Sequence, residues 1–169
     1  DEFGIAATVN DVSLEFSLCS PVVTLNGADV TDEIRSERVS LASSKIAKYT
    51  SVRKKLIDFQ RKFSRGHGLI ADGRDMGSVI FPSADLKIFL TASVKVRANR
   101  RYKELIARGE NVSLRDLERR IALRDKGDRE RKVSPLIAGE GAIVIDASEK
   151  SVNEVKKEII HYFDLIPSV

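Results

Sequence analysis

The sequence predicts an α/β fold in which helices flank a parallel β-sheet, with a small antiparallel β element near the N-terminus. Two apolar runs, 86–90 and 142–145, have the length of buried strands, and helical patterns alternate with them. Such alternation requires crossover connections, which are typical of parallel sheets. The turn dipeptide Asn26-Gly27 comes directly after the apolar run 22–25 and indicates a hairpin ahead of the long helices.

The first 30 residues are predicted to be extended. The segment 12–18 alternates apolar and polar side chains, as a half-exposed strand does, and a second strand is expected at 22–25. Asn26-Gly27 suits the tight two-residue turn that would join this strand to the next. Two or three short antiparallel strands are therefore expected in this part of the chain.

Helices are predicted from Thr31 to about Phe63. Thr31 can cap the first turn, and a second helix is expected to begin after Thr50 or Ser51. The apolar side chains of the second helix recur at helical spacing, so they should face a core. They are Val52, Leu56, Phe59 and Phe63. These side chains are interpreted as structural.

The rest of the chain is predicted to form the parallel sheet. Buried strands are expected at 68–71, 86–90 and 142–145, with helices between them. Ser151 and Glu154 form a capping-box signature at the start of the last helix. Ligands of parallel sheets bind at the C-terminal ends of the strands, so functional side chains are expected there. The polar residues at these ends are Asp72, Arg74, Asp75 and Asp146.

Composition limits the possible functions. The chain has 169 residues, a single cysteine, Cys19, and a net charge of +4. A single cysteine excludes an internal disulfide and a Cys-clustered zinc site, and it suits the reducing cytoplasm, where we expect the protein to be located. No apolar run approaches the roughly 20 residues of a membrane-spanning helix, so no membrane partner is expected.

Arginine is concentrated in one part of the sequence, where acidic residues are interleaved with it. The ten arginines of this part are Arg97, Arg100, Arg101, Arg108, Arg115, Arg119, Arg120, Arg124, Arg129 and Arg131. Such a concentration suggests a polyanionic partner, either nucleotide phosphates or a nucleic-acid backbone. A solvated helical face held by salt bridges explains the same pattern, and the charges alone do not decide between these interpretations.

Two segments carry side chains suited to a phosphorylated ligand. Arg124, Asp128 and Arg131 stand at i, i+4 and i+7, which places them on one face of a helix. They could form a salt-bridge ladder, or the guanidiniums could bind phosphate oxygens while the carboxylate accepts from ribose hydroxyls. The segment Gly73-Arg74-Asp75-Met76-Gly77 suits either a loop that approaches a ligand or a tight surface turn.

Several ordered motifs closely resemble those of the bacterial cytidylate kinase family. In the second half of the chain they are Gly68-Leu-Ile-Ala-Asp-Gly-Arg-Asp-Met-Gly77, Val79-Ile-Phe-Pro82, Lys87-Ile-Phe-Leu-Thr-Ala-Ser93, Arg97–Arg101, Arg124–Arg131 and Ser134-Pro-Leu136. The resemblance continues upstream through Gly27-Ala-Asp-Val-Thr-Asp-Glu-Ile-Arg35 and the helices that carry Ser44 and Arg53. It covers nearly the whole chain. It implies a P-loop-type nucleoside monophosphate kinase, with the antiparallel strands as an insert of the monophosphate-binding region.

The resemblance implies a reaction and its partners. A cytidylate kinase transfers the γ-phosphoryl group of ATP to CMP or dCMP, giving CDP or dCDP and ADP, in pyrimidine nucleotide metabolism. Mg²⁺ is expected with the ATP, the enzyme is expected to be a monomer, and no nucleic acid is expected as a partner. The alternative from another functional class is an arginine-rich nucleic-acid-binding module, which predicts arginines spread over an exposed convex face.

The resemblance also implies a division of the chain. Residues 1–66 would form the monophosphate-binding region with its antiparallel insert and helices. Residues 67–169 would form the core parallel α/β region, including a short lid at about 107–117. Closure of such a lid would exclude water and prevent hydrolysis of ATP.

Recognition of the nucleoside is expected from four residues. Ser44, Arg53 and Asp75 match the family positions that read cytosine. Cytosine carries an exocyclic amine that a carboxylate can accept from, whereas uracil has the opposite polarity there, so a fixed Asp75 would reject uracil. Asp128 matches the carboxylate that contacts the pentose.

Phosphate chemistry is expected from arginines. Arg74, Arg124 and Arg131 match the family residues around the CMP phosphate and the transferred group, and they are the expected catalytic residues. Arg97 and Arg101, near the base of the lid, match arginines on the ATP side. No metal ligand from the protein is expected.

The sequence departs from the family in one respect. The phosphate-binding loop Gly-x-x-x-x-Gly-Lys-Ser/Thr does not occur between Asp1 and Val169. In the family this loop follows an N-terminal strand that lies centrally in the sheet. We therefore expect a fragment that is inactive by itself and whose sheet another segment completes. Direct pairing of strands at 68–72 and 86–90 would contradict a missing central strand.

Overall fold

The computed structural model describes residues 2–9, 13–16, 22–64 and 68–167. The chain divides into two compact units, Asp1–Leu69 and Ile70–Val169. The first unit combines helices with a small antiparallel sheet, and the second combines helices with a parallel sheet. The predicted α/β fold, with its parallel sheet and small antiparallel element, is confirmed.

The antiparallel sheet of the first unit has three short strands in the order β1-β2-β3. They are β1 (Leu14–Phe16), β2 (Val23–Leu25) and β3 (Ala28–Asp29). Asn26 and Gly27 join β2 to β3 with positive φ angles of 50° and 80°, a conformation that asparagine and glycine tolerate. The hairpin predicted at these residues is confirmed. The rest of the predicted strand 12–18, at residues 12 and 17–18, lies outside the described residues.

The other elements described in the first unit are helical. They are α1 (Glu2–Thr8), α2 (Glu37–Ile46) and α3 (Thr50–Arg61), with a 3₁₀ turn at Glu33–Arg35 before α2. The prediction of extended structure throughout the first 30 residues is wrong at α1, which packs against α3. α3 begins at Thr50, slightly earlier than the predicted start after Thr50 or Ser51, and the rings of Phe59 and Phe63 form an edge-to-face pair with their centroids 5.4 Å apart.

The predicted cap at Thr31 is wrong. The hydroxyl of Thr31 accepts from the backbone N–H of Val23 at 2.9 Å, which ties Thr31 to the hairpin rather than to a helix. Ser36 caps α2 instead, because its hydroxyl accepts from the backbone N–H of Val39. The 3₁₀ turn that follows begins at Glu33, and Asp32 rather than Thr31 stands at its N-cap.

The second unit is organised around a parallel pair of strands within the described residues. Its elements are a π-helical turn at Met76–Ile80, β4 (Ile88–Thr91), α4 (Val94–Ala107), α5 (Leu114–Glu130), β5 (Ile143–Asp146) and α6 (Val152–Asp164). β4 and β5 pair directly, with Ile88 opposite Ile143. The strand predicted at 68–71 is wrong, because this segment is irregular and the side chain of Ile70 is fully exposed.

The buried core of the second unit lies between α4 and α5. Ala98, Leu105 and Leu117 are buried there, with Tyr102, Val112, Leu114 and Ile121 packed around them. α4 ends in a Schellman motif, in which Gly109 has a φ of 78° and Glu110 donates its N–H to the carbonyl of Leu105. This packing fixes the positions of α4 and α5, which carry most of the candidate site. Among the described residues, no helix is long and apolar enough to cross a membrane.

The loop before β5 approaches the π-helical turn closely at Gly139. A Cβ atom added to Gly139 would lie 2.4 Å from the carbonyl oxygen of Gly77, which is backbone and cannot rotate away. We expect Gly139→Ala to lower the free energy of unfolding by about 2 kcal/mol, because one of the two backbones must shift. Gly127→Ala in α5 is the matched control, since its added methyl group meets nothing within 4 Å.

The control is expected to act in the opposite direction. Alanine is a better helix former than glycine, so Gly127→Ala should raise the free energy of unfolding by roughly 0.5–1 kcal/mol. Urea denaturation of both variants measures the two changes. A loss for Gly139→Ala no larger than 0.5 kcal/mol, on the order of an ordinary surface change, would contradict the close approach.

The capping box predicted at the start of α6 is confirmed. The hydroxyl of Ser151 accepts from the backbone N–H of Glu154, and the Glu154 carboxylate accepts from the backbone N–H of Ser151 at 2.8 Å. The Ser151 hydroxyl also donates to this carboxylate at 2.6 Å. The hydroxyl hydrogen bond is the main reason that the pKa of Glu154 is lowered, and the backbone hydrogen bond adds to it.

The lowered pKa of Glu154 makes stability depend on pH. A carboxyl group with a lower pKa in the folded state stabilises the fold above the pKa of the unfolded chain, and this contribution disappears as the pH falls through the folded pKa. Glu154→Gln keeps an amide that can serve the capping box but removes the charge. We expect a lower urea midpoint at neutral pH, with the difference vanishing in acid. The control is Glu149→Gln, an exposed neighbour, and a difference independent of pH would contradict the assignment.

Candidate functional site

Four arginines meet two buried aspartates in the second unit. We call this group the arginine cluster, and its members are Arg74, Arg97, Arg124, Arg131, Asp125 and Asp128. A loop supplies the first arginine, α4 supplies the second, and α5 with the residue after it supplies the rest. The cluster therefore joins three segments of the chain that are far apart in sequence.

The two aspartates lie on one side of α5. Asp125 and Asp128 are three residues apart, which places them one above the other on the helix surface, and they are only 5% and 7% exposed. A buried carboxylate costs free energy unless cationic or hydrogen-bonding groups surround it. The arginines of the cluster provide those groups.

Asp128 is the common partner of three arginines. Its Oδ2 lies 2.9 Å from Nη1 of Arg74, and its Oδ1 lies 3.1 Å from Nη1 of Arg131. Nε of Arg124 lies farther away, at 3.9 Å from Oδ2. The structure therefore brings together the two motifs that the sequence analysis singled out, although Arg74 and Asp128 are 54 positions apart.

Asp125 is a member of the cluster that sequence reasoning missed. Its Oδ2 lies 2.5 Å from Nη2 of Arg97, and its Oδ1 lies 3.5 Å from Nη1 of Arg74. Nε of Arg97 donates in turn to the carbonyl of Ala92 at 2.9 Å. The available signal was an aspartate one helical turn before Asp128, which shares its face.

Arg131 reaches the cluster by a different route from the predicted one. The sequence placed it on the helix with Arg124 and Asp128, but α5 ends at Glu130 and Arg131 is extended, with φ −67° and ψ 140°. Its Nε donates to the carbonyl of Ser134, three residues later in the chain. The guanidinium held in this way lies next to Asp128. The structure brings the side chains of Arg124, Asp128 and Arg131 together, but the helical reason given for Arg131 is wrong.

Asp75 follows Arg74 directly and is buried. It stands at the start of the π-helical turn, and its carbonyl accepts from the backbone N–H groups of Val79 at 2.9 Å and Ile80 at 3.1 Å. π-Helical turns occur frequently at functional sites. The turn therefore fixes the backbone of Asp75 immediately beside a member of the arginine cluster.

Ser44 and Arg53 lie in the first unit, at the junction of α2 and α3. Ser44 is half-buried in the last turn of α2, and Arg53 stands in the first turn of α3. Nε of Arg53 donates to the carbonyl of Ala47 at 2.6 Å, three residues beyond Ser44. The two predicted nucleoside-reading residues therefore share one helix junction.

Arg101 and Asp146 have local partners outside the cluster. Nη1 of Arg101 lies 2.8 Å from the carboxylate of Glu104, and this hydrogen bond is the main reason that the pKa of Glu104 is lowered. Asp146 accepts from the backbone N–H of Ser148 at 2.8 Å, and hydrogen bonds from Ser148 likewise lower its pKa. Within the described residues, no ion pair joins Arg101 to the aspartates of the cluster.

Other arginines of the predicted concentration remain at the surface. Arg108, Arg115, Arg119, Arg120 and Arg129 are exposed. The concentration is therefore divided between a partly buried cluster and a solvated helical surface. In the part of the chain that the structure describes, no three His, Cys, Asp or Glu side chains are arranged to hold a metal ion.

Comparison with known proteins decides the family. The model of the family described as Cytidylate kinase matches residues 1–165. The chain belongs to the cytidylate kinase family. Membership identifies a kinase, a nucleotide-binding enzyme that transfers a phosphoryl group.

Three relatives of the family illustrate the similarity, and each is called cytidylate kinase. The protein from Methylococcus capsulatus is 47% identical over 156 residues, which cover 92% of this chain and 70% of the relative. That from Dichelobacter nodosus is 42% identical over 165 residues, with 94% and 74% covered. That from Pediococcus pentosaceus is 42% identical over 162 residues, with 95% and 72% covered.

Removal of the Asp128 charge tests the electrostatics of the cluster. Asp128→Asn would leave three guanidiniums without their common anion, and we expect the free energy of unfolding in chloride buffer to fall by about 2 kcal/mol. Inorganic phosphate should recover part of this loss, because an added anion can replace the carboxylate. Urea denaturation with and without phosphate measures both effects.

Glu130→Gln is the matched control for this variant. Glu130 lies on the same helix and is 3.9 Å from Lys126, but both side chains are more than 60% exposed. Its change in stability should stay below roughly 0.5 kcal/mol, with no response to phosphate beyond that of the unmodified chain. Equal losses for the two variants would show that Asp128 does not organise the cluster.

Proposed function

We propose that the arginine cluster binds the phosphate of CMP or dCMP and the phosphoryl group transferred to it from ATP, so that the products are CDP or dCDP and ADP. The observation that carries this proposal is the convergence of four guanidiniums from three chain segments on one partly buried group. The relatives, which are called cytidylate kinases, supply the reaction class. The cluster supplies a chemically suitable place for it.

The cluster matches the demands of phosphoryl transfer. An oxygen of the CMP phosphate is already a competent nucleophile, so the reaction asks the protein for alignment and charge neutralisation rather than for a general base. Guanidinium groups supply both, because their planar forks bind phosphate oxygens in a fixed orientation. Arg74, Arg124 and Arg131 would carry these roles, since all three already surround a single anion.

Four residues are proposed to read the nucleoside because they match the family positions with that role. Asp75 would accept from the exocyclic amine of cytosine, and Ser44 and Arg53 would donate to its ring acceptors. Asp128 would accept from the pentose hydroxyls once the phosphate has taken over its arginines. Support for the first of these roles comes from the burial of Asp75 beside Arg74.

Fewer residues are proposed to bind ATP, the phosphoryl donor. Arg97 and Arg101 would face ATP, and Mg²⁺ would arrive bound to the ATP phosphates. Among the described residues, no three His, Cys, Asp or Glu side chains are arranged to hold this ion. The aspartates of the cluster are paired with arginines, so we assign no step to a protein-bound metal. The lid at 107–117 and the monomeric state remain predictions.

Nucleic-acid binding is the second candidate, and one observation favours it. Arg115, Arg119 and Arg129 lie exposed along α5, where they could contact a phosphate backbone. The motif arginines, however, converge on buried carboxylates instead of spreading over an exposed face. This arrangement supports a small phosphorylated ligand over a polymer.

A titration of the chain with CMP tests the proposal. We expect Arg124→Ala to weaken CMP binding roughly tenfold or more, because a charge-assisted contact with phosphate is lost. The affinity for cytidine, which lacks the phosphate, should not change. Arg129→Ala is the matched control, since Arg129 is exposed near the end of the same helix, and it should leave both affinities unchanged. Isothermal titration calorimetry measures them.

Two outcomes would overturn the proposal. The first is no binding of CMP by the unmodified chain at millimolar concentration, or equal affinity for CMP and UMP. The second is steeply salt-dependent binding of single-stranded DNA or RNA that Arg129→Ala weakens and CMP does not displace. The latter result would favour the exposed arginines over the cluster.

A further inference from the structure

We infer that Asp125 is a positioning residue, which holds the guanidinium of Arg74 in the orientation that the CMP phosphate requires. This inference rests on the proposed function, because it assigns Arg74 to the phosphate. The family motifs quoted above gave no role to Asp125. The inference is argued from the contacts of Asp125: its buried carboxylate lies between Arg74 and Arg97.

The guanidinium of Arg74 is the group that Asp125 is inferred to position. Both of its ion pairs use the same nitrogen, Nη1, which lies 2.9 Å from Asp128 and 3.5 Å from Asp125. Among the described residues Arg74 has no other ion-pair partner, and its side chain is 34% exposed. Its Nε and Nη2 groups therefore remain for a ligand, while the two aspartates hold one corner of the guanidinium.

Asp125 is itself held by a chain of contacts that ends on the backbone. Its Oδ2 binds Nη2 of Arg97, and Nε of Arg97 donates to the carbonyl of Ala92, directly after β4. Arg100 lies three residues after Arg97 on α4. Its Nη2 donates at 2.7 Å to the carbonyl of Ala147, the residue that directly follows β5. Two arginines of α4 are thus anchored at the ends of the parallel strands. Asp125 is held by one of them, Arg97, and in turn holds the guanidinium of Arg74.

The two aspartates of the cluster have different tasks in this scheme. Asp128 is shared by three arginines and is the carboxylate that would turn to the pentose when phosphate binds. Arg74 would then lose its shorter ion pair. Asp125 would remain as its counter-ion, because the second partner of Asp125 is Arg97 rather than a group proposed to bind CMP.

Positioning and simple charge make opposite predictions for Asp125→Asn. Loss of a negative charge beside an anion site should strengthen anion binding if only the local potential matters. Loss of an orienting partner should weaken it, because a misplaced group costs affinity for a ligand with fixed geometry. We expect Asp125→Asn to bind CMP about tenfold more weakly, with unchanged affinity for cytidine. Titration calorimetry, with urea denaturation to establish folding, measures these quantities.

Arg97→Lys provides a second test that keeps the total charge. A lysine cannot span the carbonyl of Ala92 and the carboxylate of Asp125 as a guanidinium does, so CMP binding should again weaken while cytidine binding persists. The combined variant should lose less than the sum of the two single losses, since both break one chain of contacts. Asp116→Asn is the control, because Asp116 is an exposed residue at the start of α5, and this variant should leave the affinities for CMP and cytidine unchanged.

The outcomes separate this inference from the proposed function. Failure of the unmodified chain to bind CMP would overturn the proposed function. Normal CMP binding that Asp125→Asn leaves unchanged or makes tighter would overturn the positioning role alone. If Asp125→Asn does not fold, Arg97→Lys decides, and CMP affinity equal to that of the unmodified chain would contradict the inference. Additive losses in the combined variant would also contradict it.

Discussion

The pairing of two buried carboxylates with arginines from three chain segments is the interaction on which the site depends. Asp125 and Asp128 face the interior from α5, where they would be strongly unfavourable without cations. Arg74 and Arg97 come from other elements, so satisfying the aspartates also fixes the loop and α4 against α5. The apolar contacts between α4 and α5 hold the same two helices together, so packing and ion pairing support one geometry.

The features that the sequence analysis predicted correctly are those with local causes. The Asn26-Gly27 turn and the capping box of Ser151 and Glu154 depend on residues at most three positions apart. A hydroxyl or a left-handed turn residue acts on backbone groups within reach, whatever the rest of the chain does. Arg74 and Asp128 are an exception, because they lie 2.9 Å apart and the family motifs, rather than any local cause, predicted that they share a site.

The predictions that were wrong depended on distant partners. An apolar run such as 68–71 is a strand only where another strand offers hydrogen bonds, and no strand among the described residues pairs with this segment. The first helix forms where α3 offers a packing surface, which periodicity over a few residues cannot show. Asp125 was missed for a related reason: in sequence it resembles any acidic residue of a charged helix, and the approach of Arg74 and Arg97 distinguishes it. Side chains acquire such roles through tertiary contacts.

The charge of the cluster explains why it suits a phosphate monoester. Four guanidiniums around two carboxylates leave about two positive charges, and a phosphate monoester carries between about 1.5 and 2 negative charges near neutral pH. Without a ligand the aspartates limit the repulsion among the arginines, so the group can fold with its donors already gathered. Binding of the proposed phosphate would then exchange one anion for another instead of assembling a site, which would reduce the reorganisation that the ligand must drive. Asp125, held by Arg97 at 2.5 Å, would keep part of that arrangement in place during the exchange.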